Sequence, residues 1–159
     1  MAYTQSPRMT KEEIESLLKE AKTARFCSLN EDGTIHAVPV WYKYEKGRIM
    51  IGTPERSRKA KNVRRNKNVT ILIDTSDDEE RQPKGVIVYG KADLQKLSPM
   101  EPEAFSLFRR YIPENEIESY GRALSKIADW VWITVEPERV GSFDYEKDKV
   151  FQKALKEAR

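Results

Sequence analysis

The sequence predicts a mainly β domain: a small antiparallel barrel with helical additions. Three observations point there. Short apolar-rich runs recur between turn residues, and the early connections are too short to be crossovers, so the strands pair as neighbours. Helical periodicity is confined to the two ends of the chain and to two insertions. The 159 residues are the length of one ordinary domain, enough for a core without disulfides.

Each element follows from its residues. Thr10 with Glu13 is a capping-box pattern, and Ile14, Leu17, Leu18 and Ala21 follow at helical spacing, so residues 10–22 read as an amphipathic helix. ARFCSL (24–29) reads as a strand, and NEDG (30–33) as a turn. TIHAVPVWYKY (34–44) is a second strand, Lys46-Gly47 turns the chain, and RIMIGT (48–53) is a third. A short helix follows up to Asn66, with Thr53 and Ser57 as candidate N-caps and Pro54 between them. VTILID (69–74) is a strand, DDEE (77–80) an exposed acidic loop, and GVIVYGKADLQKL (85–97) a long strand. After Ser98-Pro99 come helical patterns near 102–111 and 114–126, then strands WVWITV (130–135) and RVGSFDY (139–145) and a polar helical tail. There is no repeat, long linker or low-complexity segment.

Composition excludes several function classes. Cys27 is the only cysteine and His36 the only histidine, so neither an internal disulfide nor a His/Cys metal cluster can form. No apolar run has the length of a membrane span, and the N-terminus lacks an apolar signal segment. The expectation is a soluble cytoplasmic protein. Charges nearly balance, 29 basic against 26 acidic for a net of +3. That argues against a general nucleic-acid binder.

Against this near-neutral background, seven of the fifteen residues from Thr53 to Lys67 are Arg or Lys. The first turn of a helix has unpaired N–H groups and the positive end of the dipole. Ser57, Arg58 and Lys59 placed there form a candidate phosphate site. Arg grips phosphate oxygens two at a time and Lys adds a point charge. Thr53, at the end of the preceding strand, offers a further hydroxyl. A solvated basic helix face with no ligand is the plain alternative.

The neighbourhood of that helix carries more. Residues 36–74, HAVPVWYKYEKGRIMIGTPERSRKAKNVRRNKNVTILID, resemble the flavin-binding split-barrel family that includes pyridoxamine 5′-phosphate oxidase. The shared pattern is strand, turn, strand ending in Thr, Ser-Arg-Lys, short helix, an Asn-containing turn, strand. VIVYGKA (86–92) continues it, and WVWITVEPERVGSFDY is similar near the end. The resemblance implies a homodimer of six-stranded split barrels, with two flavin mononucleotides (FMN) in the interface. By position it implies that His36, Ala37, Val38, Pro39, Val40 and Trp41 lie along the isoalloxazine. Gly52 and Thr53 would follow the ribityl chain, and Arg58 and Lys59 would hold the phosphate beside Ser57. Lys61, Arg64, Arg65 and Lys67 are then expected at the surface. As a wall for a ring, the strand makes physical sense: Pro39 lacks an N–H and belongs at an edge, where neighbouring backbone groups are free for a ligand.

Two positions depart from the oxidases, which have Lys where this chain has Trp41 and Gln where it has Gly85. Their substrate-phosphate residues have no match in 98–129. The expectation is an FMN-dependent oxidoreductase of another small-molecule substrate, without pyridoxamine-phosphate oxidase activity. A deazaflavin coenzyme, with a longer tail that could use Arg56, Lys61 or Arg64, is the competing cofactor. A haem would have to use His36, Cys27 or a Tyr. A flavin carrier or a nucleic-acid-binding barrel are the non-enzymatic alternatives. His36 and Tyr42 are available as acids or bases, and nothing in the sequence selects either; Trp130 and Trp132 read as structural.

Overall fold

The computed structural model describes residues 7–75 and 82–159; the acidic stretch 77–80 lies outside them. Among the described residues, five α-helices accompany seven strands. The strands are β1 (Ala24–Leu29), β2 (Ile35–Val40), β3 (Lys43–Glu45), β4 (Arg48–Pro54), β5 (Asn68–Asp74), β6 (Lys84–Leu97) and β7 (Trp130–Asp144). The helices are α1 (Lys11–Glu20), α2 (Arg58–Arg65), α3 (Pro102–Phe108), α4 (Ile117–Ile127) and α5 (Lys149–Glu157).

All strands join one antiparallel sheet in the order β2-β1-β5-β6-β7-β4-β3. Two differences from the expected six-stranded barrel stand out. The expected strand 34–44 breaks at Trp41-Tyr42, so its halves become the two opposite edges of the sheet. The expected strands 130–135 and 139–145 are one strand. Tyr89 pairs with Arg139 and Gly90 with Pro137, so Glu138 is the extra residue of a bulge, where Pro137 needs no ladder N–H.

Covalent geometry curls this sheet. Val40 and Lys43 are three Cα steps apart, at most ~11 Å. Seven flat strands would set their edges ~29 Å apart. The edges therefore come round towards each other, although no hydrogen-bonded ladder joins β2 to β3. Inside the curl lie Phe26, Ile49, Ile51, Ile71, Ile73, Val86, Val88, Ile133 and Val135. α1 closes one side with Leu17 and Leu18, after the Thr10–Glu13 capping box.

Residues 98–129 form a second, smaller core on the other face of β4 and β7. Ala104, Leu107, Phe108 and Ile117 pack there against Met50, Leu97 and Trp132. The expected helix 102–111 ends at Phe108, and the expected 114–126 helix begins with a single 3₁₀ turn at 114–116. Buried Lys43 anchors this insertion: its ammonium reaches Glu103, Glu45 and Ser106, and lies 5.6 Å from the Trp132 ring centroid. Both other tryptophans expected to be structural are so: Trp132 Nε1 donates to Glu101 and Trp130 Nε1 to the Leu124 carbonyl.

Candidate functional site

β4 delivers the chain to the site. Thr53 is buried, its hydroxyl 3.0 Å from the Ser57 hydroxyl. Ser57, not Thr53, is the N-cap of α2, and its Oγ accepts from the Ala60 N–H at 3.2 Å. With Thr53 donating and the Ala60 N–H donating, the Ser57 hydroxyl keeps its own proton for an outside acceptor. The amides of Arg58 and Lys59, in the first helical turn, have no intrahelical partner.

The cations of this segment divide into two groups. Arg64 donates to the Glu55 carbonyl at 2.9 Å and faces its carboxylate at 3.4 Å. Arg65 donates to the Leu29 carbonyl and to Asn62. Lys67 pairs with Asp93 at 2.5 Å. By contrast, Arg56, Arg58, Lys59 and Lys61 make no side-chain hydrogen bond or ion pair among the described residues, and of these Arg58 and Lys59 are the first two residues of α2. Lys59 is half-buried, and desolvation pushes its pKa down with no carboxylate to offset it. A desolvated ammonium without a counter-ion is costly and calls for an anion.

β2 brings a third group. His36 pairs with Ser28 in the ladder and shares its face with Val38 and Val40. Desolvation and then the charges of Lys59 and Arg58 hold the His36 pKa below its usual value, which places all three groups in one electrostatic neighbourhood. Asp32 also feels Arg58, but its carboxylate is taken by the Thr34 N–H and hydroxyl at 3.0 and 2.6 Å. Asn62, which sequence reasoning passed over, fixes α2 in place. It is buried and donates to Ser28 and Asn30, both at 3.0 Å.

Along the rest of β2 the residues alternate. Ile35, Ala37 and Pro39 are exposed, while His36, Val38 and Val40 are half-buried. As an edge strand, β2 offers backbone groups to a ligand, and Pro39 sits there as its chemistry requires. Gly52 lies on β4 with a Cβ position only 3.2 Å from Leu97 Cδ2, so its lack of a side chain is already a packing matter. Trp41, just beyond β2, stacks in parallel on Tyr111, centroids 4.4 Å apart. Tyr111 and Tyr120, in the segment 98–129 that lacks the oxidases' substrate-phosphate residues, are the neighbours sequence reasoning missed.

Other candidates separate from this constellation. Tyr42 is fully buried and donates to the Leu18 carbonyl at 2.7 Å, and burial raises its pKa. It has no role as a base near neutrality. At Gly85 a Cβ would lie 2.7 Å from the Phe143 ring, so Phe143 covers the position where the oxidases carry Gln. Cys27 lines a cavity of about 490 Å³ on the outer face of β1, β5 and β6, and a second cavity of about 870 Å³ lies between α2, α4 and the adjoining ends of β6 and β7. Neither is lined by His36, Arg58 or Lys59. Among the described residues there is no cluster of metal ligands, and no helix is long and apolar enough to cross a membrane.

No curated protein matches the sequence. Among solved structures, the chain is similar to a conserved hypothetical protein, Rv2991, from Mycobacterium tuberculosis, at 25% identity and a TM-score of 0.71, covering 91% of this chain and 92% of that one. It is similar to a protein described as an F420 reductase at 22% identity and a TM-score of 0.65, covering 82% and 98%. It is similar to the heme storage protein HutZ from Vibrio cholerae at 16% identity and a TM-score of 0.64, covering 86% and 97%. With the family model matching residues 10–144, the chain belongs to the pyridoxamine 5′-phosphate oxidase family.

Proposed function

We propose that this protein is an FMN-binding oxidoreductase, with the cofactor phosphate on the N-terminus of α2 and the isoalloxazine along the edge strand β2. One observation carries the reading: Arg58 and half-buried Lys59, the first two residues of α2 after its Ser57 cap, have no side-chain partner among the described residues. The donor set fits a phosphate. It comprises a guanidinium, an ammonium, two amides and the Ser57 hydroxyl proton. Arg58 and Lys59 would bind the phosphate, Thr53 would hold Ser57 in position, and the backbone of residues 36–40 would orient the ring. Bound FMN supplies hydride and electron transfer; the residues around it bind, orient and exclude water. His36 can take up a proton beside the phosphate.

The deazaflavin reading keeps the same terminus and adds Arg56 and Lys61, both exposed and without partners among the described residues. They would serve the further charges of a longer tail. Haem has less support: His36 faces two cations, and Cys27, although it lines the 490 Å³ cavity, has its thiol pKa pushed up by burial, away from the thiolate that ligates. The absorption spectrum of freshly purified protein tests the reading. A flavin spectrum is expected. A deazaflavin spectrum would move the assignment to that coenzyme, and a colourless preparation that takes up neither would overturn it. Pyridoxamine phosphate should not be turned over, because Trp41 and Gly85 remove two of the oxidases' polar contacts. Steady oxygen consumption with that substrate would contradict this.

A further inference from the structure

The aromatic stack at the end of β2 has no part in holding a phosphate, yet it is exposed and braced from behind. The Trp41 indole lies flat on the Tyr111 ring, centroids 4.4 Å apart and planes parallel. Tyr111 is fixed through its hydroxyl, which accepts from the Tyr42 N–H at 3.0 Å. The same hydroxyl lies 2.8 Å from the Lys22 carbonyl and 2.9 Å from the Tyr42 carbonyl. Arg110 and Lys22 stand 5.7 and 5.6 Å from the Tyr111 centroid. With the indole covering one face of Tyr111, these cations occupy the other. Arg110 is itself held by donating to the Lys19 and Ala21 carbonyls at 2.8 and 2.6 Å. Tyr120 of α4 adds a tilted ring 6.3 Å from the indole.

Trp41 is nevertheless 42% exposed. A braced ring that keeps this much exposed surface loses little entropy when something stacks on it. Indole is an electron-rich ring, and offset stacking of aromatic planes is favourable. Its best planar partner is electron-poor. The plate also has a definite place: from His36 to Trp41 is five residues, ~17 Å of extended strand. It therefore stands at the opposite end of β2 from the phosphate-binding terminus.

We propose that the Trp41–Tyr111 stack is the substrate plate, binding a planar, electron-poor conjugated ring of the quinone class. The inference rests on the FMN reading for where the cofactor lies, but not for the plate itself. It assigns a role to the insertion 98–129: through Tyr111 and Tyr120 it builds a ring-binding surface where the oxidases have a lysine.

The test uses menadione, titrated calorimetrically into FMN-loaded wild type, Trp41→Ala, Trp41→Phe and Tyr111→Phe, with thermal melts to confirm folding. Trp41→Ala should weaken menadione about tenfold, the scale of one lost aromatic stack. Trp41→Phe should cost about threefold, and Tyr111→Phe, which keeps the ring but loses its anchor, should fall between wild type and Trp41→Ala. The loss of FMN affinity in Trp41→Ala should be at least fivefold smaller than that of menadione. Equal losses for FMN and menadione would mean that the plate holds the cofactor ring, overturning the proposal. So would menadione binding that ignores Trp41, or no binding to wild type. If the protein takes up no FMN, the same titrations on it as purified separate the two ideas: Trp41-dependent menadione binding upholds the plate while the FMN reading falls. If Trp41→Ala does not fold, Trp41→Phe and Tyr111→Phe carry the comparison.

Discussion

Arg58 and Arg64 sit six positions apart on the same short helix and do different things. Arg64 is committed to Glu55, whereas Arg58 has no partner among the described residues. The sequence shows both as cations on a helix, and its Ser-Arg-Lys run marks a phosphate-binding terminus because capping and dipole are local properties. It does not show which cations are already spent, because their partners, Glu55, Leu29 and Asp93, lie 9, 36 and 26 residues away. His36 gives a prediction at this scale. Its folded pKa is depressed, so the unfolded chain binds its proton more readily. The contribution is present above the ordinary histidine value, 6.5, and is lost as pH falls below it. The melting temperature of the ligand-free protein should therefore decline on acidification from pH ~7 to pH ~5.5, and His36→Asn should flatten that decline. An unchanged slope in the variant would place His36 outside the cationic cluster.

At the scale of elements, the turns and periodicities of β1, β4, β5, β6, α1 and α2 are legible in the chain. The break of β2 from β3 is not, because Trp41-Tyr42 carries no turn residue; the break is imposed by Tyr111, 69 residues downstream of Tyr42, accepting its N–H. The continuity of β7 is hidden by Pro137, which marks a bulge and not an end. The family's Gly-Lys-Ala run proves to be structural at Gly90, where a Cβ would lie 2.3 Å from the Glu136 carbonyl oxygen. Gly90→Ala should destabilise the protein by about 1–3 kcal/mol, the range for overpacking, and a denaturant midpoint equal to wild type would contradict this. Ser57→Ala removes the cap of α2 and should cost about 1 kcal/mol, together with a measurable loss of FMN affinity. Loss of stability without loss of affinity would confine Ser57 to capping.

For the molecule as a whole, the curl of the sheet leaves β2 as an open edge whose outward residues, Ile35, Ala37 and Pro39, are exposed, Ile35 to 68%. An apolar edge of this kind is a natural seat for a second copy. Light scattering should report twice 18.5 kDa, and a single 18.5 kDa species at micromolar concentration would contradict a homodimer. The central claim, that Arg58 and Lys59 grip one phosphate, is tested most directly by fluorescence titration of FMN and riboflavin against wild type, Arg58→Ala, Lys59→Ala and Arg64→Ala. A charge-assisted hydrogen bond contributes about 1.5–3 kcal/mol, so losing Arg58 or Lys59 should weaken FMN about tenfold or more. Arg64→Ala should leave FMN affinity within about threefold, the scale of an exposed ion pair, and riboflavin, lacking the phosphate, should be nearly indifferent to all three changes. Equal losses at Arg58 and Arg64, or a riboflavin loss matching that of FMN, would show the basic helix to be only a diffuse positive surface.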